Sequence, residues 1–493
     1  MRISIATTVF IGLLTALLTG HPSAAQTPAA TLELEDCRIN AGPEFPGIKA
    51  RCGNFVRPLN PENPDGETIE LFVAVVAALT LEPAGDPIVP IAGGPGQASS
   101  TFYASVFSAF EPLRRDRDVL LIDQRGTGKS ALMNCDVDED VVQIEYSVEQ
   151  TLEATESCLN DLPYDPRFFT TSVAVTDIEA VRQALGYGPI NLYGVSYGSR
   201  VAQHFARRYP ESTRSVILDG VVPPQLALGP AIALEAQRAL EAVFSRCTEE
   251  PGCADAFPDL SERFASLAAD LAESPVTVDL PHPFSGRPET LEFNDDALSG
   301  AIRLMSYHPM TIAMLPLMIN EAADGNFLPI AAQFINIRDS LTESMAGGMH
   351  NAVVCTEDAP FFSGEAVSDE ELAATYIGPL LRESLITMCS VWPEGVMDDD
   401  FKQPLATNIP VLLLSGEVDP ITPPGYAEMA AVDLDRALLL TGRSQGHGLA
   451  PRGCTPDVMA EFVNGLDVTA VDSSCFERHF AMPFFLDFSG PAP

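Results

Sequence analysis

Short apolar segments alternate with segments of helical spacing from about residue 50 to residue 220. Apolar runs rich in β-branched side chains predict buried strands. These runs cover residues 68–76, 87–91, 118–122, 190–193 and 215–218. The spacing of apolar residues at 177–185 and 200–208 predicts helices between them. Strands that alternate with helices predict a mostly parallel sheet with crossover connections, which is an α/β fold.

The pattern becomes mainly helical between residue 223 and about residue 405. Leu260, Phe264, Leu267 and Leu271 are spaced as one face of a helix, and similar faces recur around a predicted hairpin, VTVDL with ETLEF. Strand signals return at 409–414 and 437–440. A parallel sheet that a helical block interrupts predicts an α/β-hydrolase core with a cap. The predicted divisions are an export signal at 1–25, core at 26–222, cap at 223–405, and core with a C-terminal tail at 406–493.

The first 25 residues are typical of an export signal. Arg2 is their only charge, an apolar run covers 3–18, and Ser23, Ala24 and Ala25 are small residues suited to cleavage. A membrane anchor is the alternative, but the run is shorter than the roughly 20 apolar residues that a span needs. We therefore expect export to the periplasm or the medium, with no stable membrane insertion after signal cleavage.

The ten cysteines support an exported protein, because their number is even and none forms a C-x-x-C pair. Sequence alone does not prove the connectivity, but pairing neighbours closes five modest loops and leaves no thiol over. We predict disulfides in an oxidising compartment. The predicted pairs are Cys37–Cys52, Cys135–Cys158, Cys247–Cys253, Cys355–Cys389 and Cys454–Cys475.

The balance of charges is strongly acidic, with 68 acidic and 28 basic residues and a formal net charge of −40 at pH 7. Such a surface repels nucleic acid, so we expect no nucleic-acid partner. Solubility or adaptation to salt explains most of this charge, and composition does not establish a preference for cationic substrates.

The segment GVSYG, residues 194–198, holds one serine between two glycines at the end of a predicted strand. G-x-S-x-G is typical of a nucleophile elbow, a sharp strand-to-helix turn that projects a serine hydroxyl from the edge of a sheet. A structural Gly-Ser turn is the alternative. The strand before the motif and the helix after it favour Ser196 as a nucleophile.

A nucleophilic serine needs a base and an acid, and in this fold they follow it in the order acid, then histidine. His447 lies in SQGHG directly after a predicted strand, whereas His204 lies on the helix after the elbow and is interpreted as structural. The acid should follow the preceding strand, where SGEVDP supplies Glu417 and Asp419. We choose Asp419, because Pro420 ends the strand and directs the loop, and keep Glu417 as the alternative.

Two amides are candidates for an oxyanion hole. Tyr197 follows the nucleophile, and Gly94 of AGGPG lies at the end of an earlier strand, where Pro95 has no N–H to donate. GTGKS, residues 126–130, suggests a phosphate loop, but Asp123 stands where that motif requires a glycine. We therefore reject a nucleotide site.

The ordered set GGPG, DQRGTGKS, GVSYGS, SGEVDPITPP and GHG resembles the secreted, tripeptidyl-aminopeptidase-like branch of the prolyl-aminopeptidase family of serine peptidases. The resemblance extends over nearly the whole chain after the signal, including RCGNFVRPLNP, LDGVVPP and VVCTEDAP. It implies an α/β-hydrolase fold, no metal or organic cofactor, and cleavage of short peptides from a free N-terminus. Ala92 departs from the histidine that precedes GGPG in the cytoplasmic type, which places strict proline specificity in doubt.

An aminopeptidase must bind a free α-ammonium group, and a buried cation needs a carboxylate partner. Glu357 and Asp358 in VVCTEDAP follow Cys355 in an apolar stretch that the resemblance places near the active site. We predict that one of them binds the substrate amine, with Glu357 ranked ahead. The alternative for Glu357 and Asp358 is that both are ordinary surface acids. The alternatives for the function of the protein are a carboxylesterase with the same triad and a catalytically inactive binding protein.

Overall fold

A nine-stranded sheet forms the centre of the molecule in a computed structural model, which describes residues 32–42, 46–135, 147–364, 367–478 and 480–491. The strands of this sheet and of two further sheets are β1 (Glu35–Ile39), β2 (Ile48–Pro58), β3 (Thr68–Val76), β4 (Ala84–Ile91), β5 (Arg117–Ile122), β6 (Ile190–Val195), β7 (Thr213–Asp219), β8 (Val276–Pro281), β9 (Pro288–Phe293), β10 (Val411–Gly416), β11 (Ala437–Gly442), β12 (Phe485–Asp487) and β13 (Gly490–Pro491). The two further sheets have two strands each, β8 with β9 and β12 with β13.

The central sheet has the order β1-β2-β3-β5-β4-β6-β7-β10-β11. The strands β1, β2, β3 and β5 pair antiparallel in that order, whereas β5, β4, β6, β7, β10 and β11 are parallel neighbours. The α/β prediction is therefore confirmed. Because the parallel strands end at one edge, the loops after β4, β6, β7, β10 and β11 meet there.

Helices cover both faces of this sheet. The parallel strands are therefore buried on both sides, and their sequences are nearly continuous apolar runs. In β6, for example, all six residues are buried. The helices are α1 (Ser99–Ser105), α2 (Glu111–Arg114), α3 (Val148–Asp161), α4 (Thr171–Ala184), α5 (Tyr197–Arg208), α6 (Ile232–Glu249), α7 (Pro251–Ala256), α8 (Leu260–Glu273), α9 (Asp295–Met305), α10 (Pro309–Ala323), α11 (Leu328–Ser344), α12 (Gly347–Glu357), α13 (Asp369–Ala373), α14 (Leu380–Cys389), α15 (Pro424–Ala431) and α16 (Thr455–Gly465).

Helices α6 to α14 and the β8–β9 hairpin lie between β7 and β10 in the chain. Many of them share a second apolar core, to which Leu298 and Ile302 of α9 and Leu315 of α10 belong with no exposed surface. This block is the helical insertion that the sequence predicts. Its boundaries at 223 and 405 stay a prediction.

The ten cysteines form five disulfides in the predicted neighbour pairing. Five bridges in one chain indicate an oxidising, extracytoplasmic location. The predicted export signal at 1–25 lies outside the described residues. Among the residues that are described, no helix combines the length and the apolar character needed to cross a bilayer.

Candidate active site

Ser196 occupies a sharp turn between β6 and α5, with φ 55° and ψ −126°. A positive φ is rare for a residue other than glycine and is a mark of functional sites. The flanking glycines explain how the turn closes. A Cβ on Gly194 would lie 2.2 Å from the carbonyl oxygen of Gly198, and one on Gly198 would lie 2.3 Å from that of Ile91. Only glycine fits at either position, as a nucleophile elbow requires.

His447, in the loop after β11, contacts the acid chosen from the sequence. Its Nδ1 lies 2.8 Å from Oδ2 of Asp419, whose side chain is fully buried. The alternative acid, Glu417, instead accepts a hydrogen bond from the amide of Ser444 at 2.7 Å. Asp419, and not Glu417, is thus the acid within hydrogen-bond distance of the His447 imidazole. An Nδ1–H that donates to a carboxylate leaves Nε2 as the nitrogen that can accept a proton.

The loop after β10 fixes the orientation of the Asp419 carboxylate. Its Oδ1 accepts from the amides of Ile421 and Thr422, both at 2.9 Å. Its Oδ2 accepts from the Thr422 hydroxyl at 2.8 Å as well as from the imidazole. Each oxygen therefore has two donors, which holds a buried charge in one orientation.

Asp219, which the sequence reasoning missed, connects the serine turn to the histidine loop. Its carbonyl oxygen accepts from the Ser196 amide at 2.9 Å. Its fully buried carboxylate accepts from the amides of Leu449 at 2.7 Å and Ala450 at 2.8 Å, just after His447. The sequence did contain a signal for this residue. The segment LDG places Asp219 at the end of β7, and β7 is the neighbour of β6, the strand that precedes Ser196.

Gly220 lets the histidine loop approach the end of β7. Its φ is 63°, and a Cβ there would lie 2.9 Å from Cε1 of His447. The bonds of Asp219 and the close packing of Gly220 connect the end of β7 to both the loop that carries Ser196 and the loop that carries His447.

The predicted oxyanion amides belong to Tyr197, which follows Ser196, and to Gly94, whose neighbour Gly93 contacts Ser196. Tyr197 is the first residue of α5, so its amide has no acceptor within the helix. Gly93, the neighbour of Gly94, packs on Ser196, since a Cβ on Gly93 would lie 3.0 Å from Cβ and 3.6 Å from Oγ of Ser196. The oxyanion role of Tyr197 and Gly94 stays a prediction.

The cap contacts the histidine loop through Tyr307, which follows α9. Its carbonyl oxygen accepts from the His447 amide at 2.9 Å. Its ring packs edge-on against the imidazole, with 5.2 Å between the ring centroids. Arg303 of α9 donates to the Tyr307 hydroxyl at 3.3 Å. These cap groups were not identified from the sequence, because helical spacing does not reveal which loop a helix end contacts.

The imidazole and its carboxylate partner shift each other's pKa in opposite directions. Burial acts to lower the pKa of His447, but the charge of Asp419 and its hydrogen bond outweigh burial and raise the pKa above 6.5. Burial acts to raise the pKa of Asp419, and the His447 charge with the other donors lowers it below 3.8. An imidazole that gains basicity from a held carboxylate is suited to general-base catalysis.

The pH dependence of turnover follows from the raised pKa of His447. Only the neutral imidazole accepts a proton, so activity falls as the pH falls through the pKa. We expect kcat/KM for an uncharged ester to rise with a midpoint above pH 6.5, and the Asp419→Asn variant to show a lower midpoint. A pH–rate profile of both proteins checks this. A wild-type midpoint below pH 6.5 would contradict the assignment.

Glu357 and Asp358, the predicted ligands of a substrate amine, are both buried. Asp358 forms an ion pair with Arg200 of α5 at 2.9 Å, accepts from the Leu228 amide at 2.8 Å, and lies 3.6 Å from Nζ of Lys402. The role of Asp358 as an amine ligand stays a prediction, and these contacts make it the weaker candidate. The chain's own donors and cations already occupy this carboxylate, and removing one partner of such a buried pair leaves an uncompensated charge.

Glu357 is bonded mainly by neutral groups. Thr171 donates to it through its amide at 2.7 Å and its hydroxyl at 2.9 Å, whereas Arg200 is 4.0 Å away. Burial, partly offset by the Arg200 charge, raises the pKa of Glu357 to about 7. The Arg200 guanidinium is thus at the limit of ion-pair distance from this carboxyl group and offsets its burial only in part. Its role as an amine ligand stays a prediction.

A second serine, histidine and acid lie together at Ser172, His204 and Asp398, but their geometry is not that of a triad. Nε2 of His204 faces both Asp398 at 2.8 Å and Ser172 at 3.4 Å. A general base needs one nitrogen for the acid and the other for the hydroxyl. His204 is therefore structural, as interpreted from the sequence. Within the described ranges, no three histidine, cysteine or acidic side chains are grouped to hold a metal.

Comparison with known families agrees with this geometry. Residues 86–249 match the family model described as the alpha/beta hydrolase fold, and residues 374–475 match the model described as TAP-like protein. The first match contains the elbow, and the second contains both Asp419 and His447. These matches confirm the resemblance that the motifs indicate, to an α/β-hydrolase with a TAP-like region.

Curated relatives match at low identity. Serine protease Hip1 of Mycobacterium tuberculosis is 26% identical over 473 residues, which cover 88% of this chain and 89% of that protein. Tripeptidyl aminopeptidase of Streptomyces coelicolor is 26% identical over 219 residues, 41% of this chain and 40% of that protein. Proline iminopeptidase of Neisseria meningitidis is 28% identical over 139 residues, 28% of this chain and 34% of that protein. The chain is a serine hydrolase with the α/β-hydrolase fold and a TAP-like region, distantly homologous to these three peptidases.

Proposed function

We propose that the protein is an exported aminopeptidase that cleaves short peptides from a free N-terminus through an acyl-enzyme. The observation that carries the catalytic part is the His447 imidazole held by Asp419 at the sheet edge that bears Ser196. Two relatives named tripeptidyl aminopeptidase and proline iminopeptidase support the peptide substrate. The five disulfides support export to the periplasm or the medium.

In the proposed mechanism, Ser196 Oγ attacks the scissile carbonyl while Nε2 of His447 takes its proton. The amides of Tyr197 and Gly94 stabilise the negative oxygen that forms. His447 then gives the proton to the leaving amine, which departs as the C–N bond breaks. Water enters, His447 removes its proton, and the acyl-enzyme is hydrolysed to the free acid and Ser196.

Glu357 is the proposed ligand of the substrate α-ammonium group. It is bonded by the neutral donors of Thr171, and its raised pKa reflects burial that the Arg200 charge at 4.0 Å offsets only in part. An ammonium group in direct contact would favour the ionised carboxylate. Because Glu357 is fully buried, this assignment requires the segment around it to move when substrate binds.

A panel of matched substrates tests the proposed activity. Peptide amides of two to four residues with a free α-amine, the same peptides N-acetylated, and simple acyl esters would be compared by kcat/KM. We expect the free-amine peptides to exceed the acetylated ones by about 10- to 100-fold, the range for a hydrogen bond to a charged group. Cleavage of esters without peptides would identify a carboxylesterase, and equal cleavage of both peptide sets would exclude an aminopeptidase.

The same substrates test the role of Glu357. We expect Glu357→Gln to raise KM for free-amine peptides and to reduce the ratio of free-amine to acetylated cleavage about 10-fold or more. Asp358→Asn is the matched control. The substitution removes the carboxylate that pairs with Arg200, so it should change kcat/KM for both substrate types alike. Equal losses on both types for Glu357→Gln would make this residue structural.

A further inference from the structure

Arg303 lies one side chain away from the proposed base, on the cap side. It donates to the Tyr307 hydroxyl at 3.3 Å, and Tyr307 contacts His447 through both its carbonyl oxygen and its ring. The Arg303 charge acts to lower the pKa of His447, against the effect of Asp419. A cation therefore faces the active site from α9.

Arg303 has no carboxylate partner among the residues that the structure describes. This is notable in a chain with 68 acidic and 28 basic residues. Its Nε is also buried without a hydrogen-bond acceptor. Several other arginines share that buried, unbonded Nε, but three of them hold a carboxylate through another nitrogen. These are Arg200, Arg263 and Arg382, with Asp358, Asp324 and Asp369.

The Tyr376 hydroxyl is a second donor without an acceptor. It is a buried oxygen with no hydrogen-bond partner in the described part of the chain. The carbonyl oxygen of Tyr376 accepts from the Ser299 hydroxyl at 2.6 Å, one turn before Arg303 on α9. Burial raises the pKa of Tyr376 and the Arg303 charge acts in the opposite direction, as expected of neighbouring groups.

Buried polar groups are normally paired, so the Nε of Arg303 and the hydroxyl of Tyr376 call for an acceptor. A neutral carbonyl would leave the guanidinium charge uncompensated. A carboxylate brings a negative charge and two oxygens, which match a guanidinium and a hydroxyl. The cluster of Arg303 and Tyr376 therefore fits an anionic ligand that enters from the active-site side.

We propose that Arg303 and the Tyr376 hydroxyl bind a carboxylate of the substrate, an inference that rests on the peptidase function proposed above. In a short peptide this group is either the C-terminal carboxylate or the side chain of an aspartate or glutamate residue. Arg303 is thus a specificity-determining residue. If Arg303 only supported Tyr307, its replacement would change kcat/KM equally for charged and neutral substrates.

Matched substrate pairs that differ only in one carboxylate test this proposal. One pair is a free-amine tripeptide with a C-terminal carboxylate or a C-terminal amide, and the other is a tripeptide amide with glutamate or glutamine. The ratio of kcat/KM within each pair measures carboxylate recognition. We expect a preference of about 10- to 100-fold for the carboxylate in at least one pair, and the pair that shows it identifies the source.

Arg303→Met should reduce that ratio to about one, and Arg303→Lys should keep part of it because the charge remains while the bidentate geometry is lost. Arg263→Met is the matched control, because Arg263 is another cap arginine that is already paired, with Asp324. The ratio should stay at the wild-type value in this control. Fluorophosphonate labelling of each variant reports whether its active site is intact.

No carboxylate preference in the wild-type protein, or an unchanged ratio in Arg303→Met, would overturn the proposal. Failure of the peptidase function is distinguishable, because it would appear as cleavage of esters without cleavage of peptides. In that case monoesters of dicarboxylic acids and matched neutral esters supply the same ratio, and the same outcomes decide the role of Arg303.

Discussion

Replacing Ser196 with alanine is expected to lower kcat by about a millionfold, the loss found when the nucleophile of a serine peptidase is removed. The reason is that Ser196 supplies the hydroxyl that forms the acyl-enzyme. The turn at Ser196 also has a backbone conformation that alanine tolerates about as well as serine, so the fold should be retained. The measurement is kcat on the best peptide or ester of the substrate panel.

Ser172→Ala is the matched control for this loss. Ser172 is another serine whose hydroxyl lies beside a histidine, but it faces the nitrogen of His204 that Asp398 already occupies. We expect the kcat of this variant to stay within about tenfold of the wild-type value. The Ser172 hydroxyl accepts a hydrogen bond from the Asp398 amide at 3.0 Å, which is a structural contact. Comparable losses in the two variants, or a Ser196→Ala enzyme of near-normal activity, would refute the assignment.

Asp419→Asn is expected to lower kcat by about ten thousandfold. The amide keeps the size of the side chain and can still accept from the loop amides of Ile421 and Thr422. It removes the negative charge that raises the pKa of His447, and it favours the wrong imidazole tautomer by presenting N–H groups to Nδ1. The base is then weaker and wrongly protonated.

Glu417→Gln is the control for the acid, because Glu417 is the neighbouring carboxylate that the sequence left as an alternative. It contacts the Ser444 amide and is more exposed than Asp419. Kinetics of both variants on one uncharged ester should show a loss only for Asp419→Asn. An equal loss in Glu417→Gln, or a loss below tenfold in Asp419→Asn, would contradict the assigned acid.

The strands of the core could be predicted because they are buried on both faces. The run at 68–76 coincides with β3, and the run at 190–193 lies within β6. A strand in such a position needs apolar side chains at nearly every residue, which marks it in the sequence. The order of the parallel strands then places the chemistry-bearing loops at one edge, so Ser196, Asp419 and His447 could be chosen by position.

The contacts around the predicted site could not be read in the same way. Asp219 bonds to an amide 230 residues away, and Tyr307 reaches His447 from the cap. Such contacts depend on how the cap packs on the core, which helical spacing does not determine. Asp358 shows the same limit, because its partner Arg200 is 158 residues away on the helix after the elbow. An acid that seemed available for substrate is therefore held by the chain itself.

The central claim is that Ser196 is a nucleophile activated by His447 and Asp419. The most direct test treats the protein with a fluorophosphonate and locates the adduct by mass spectrometry of peptides. We expect one adduct, on Ser196, with labelling greatly slowed in His447→Ala and absent in Ser196→Ala. An adduct on another serine, or labelling of Ser196 at the same rate without His447, would contradict the claim.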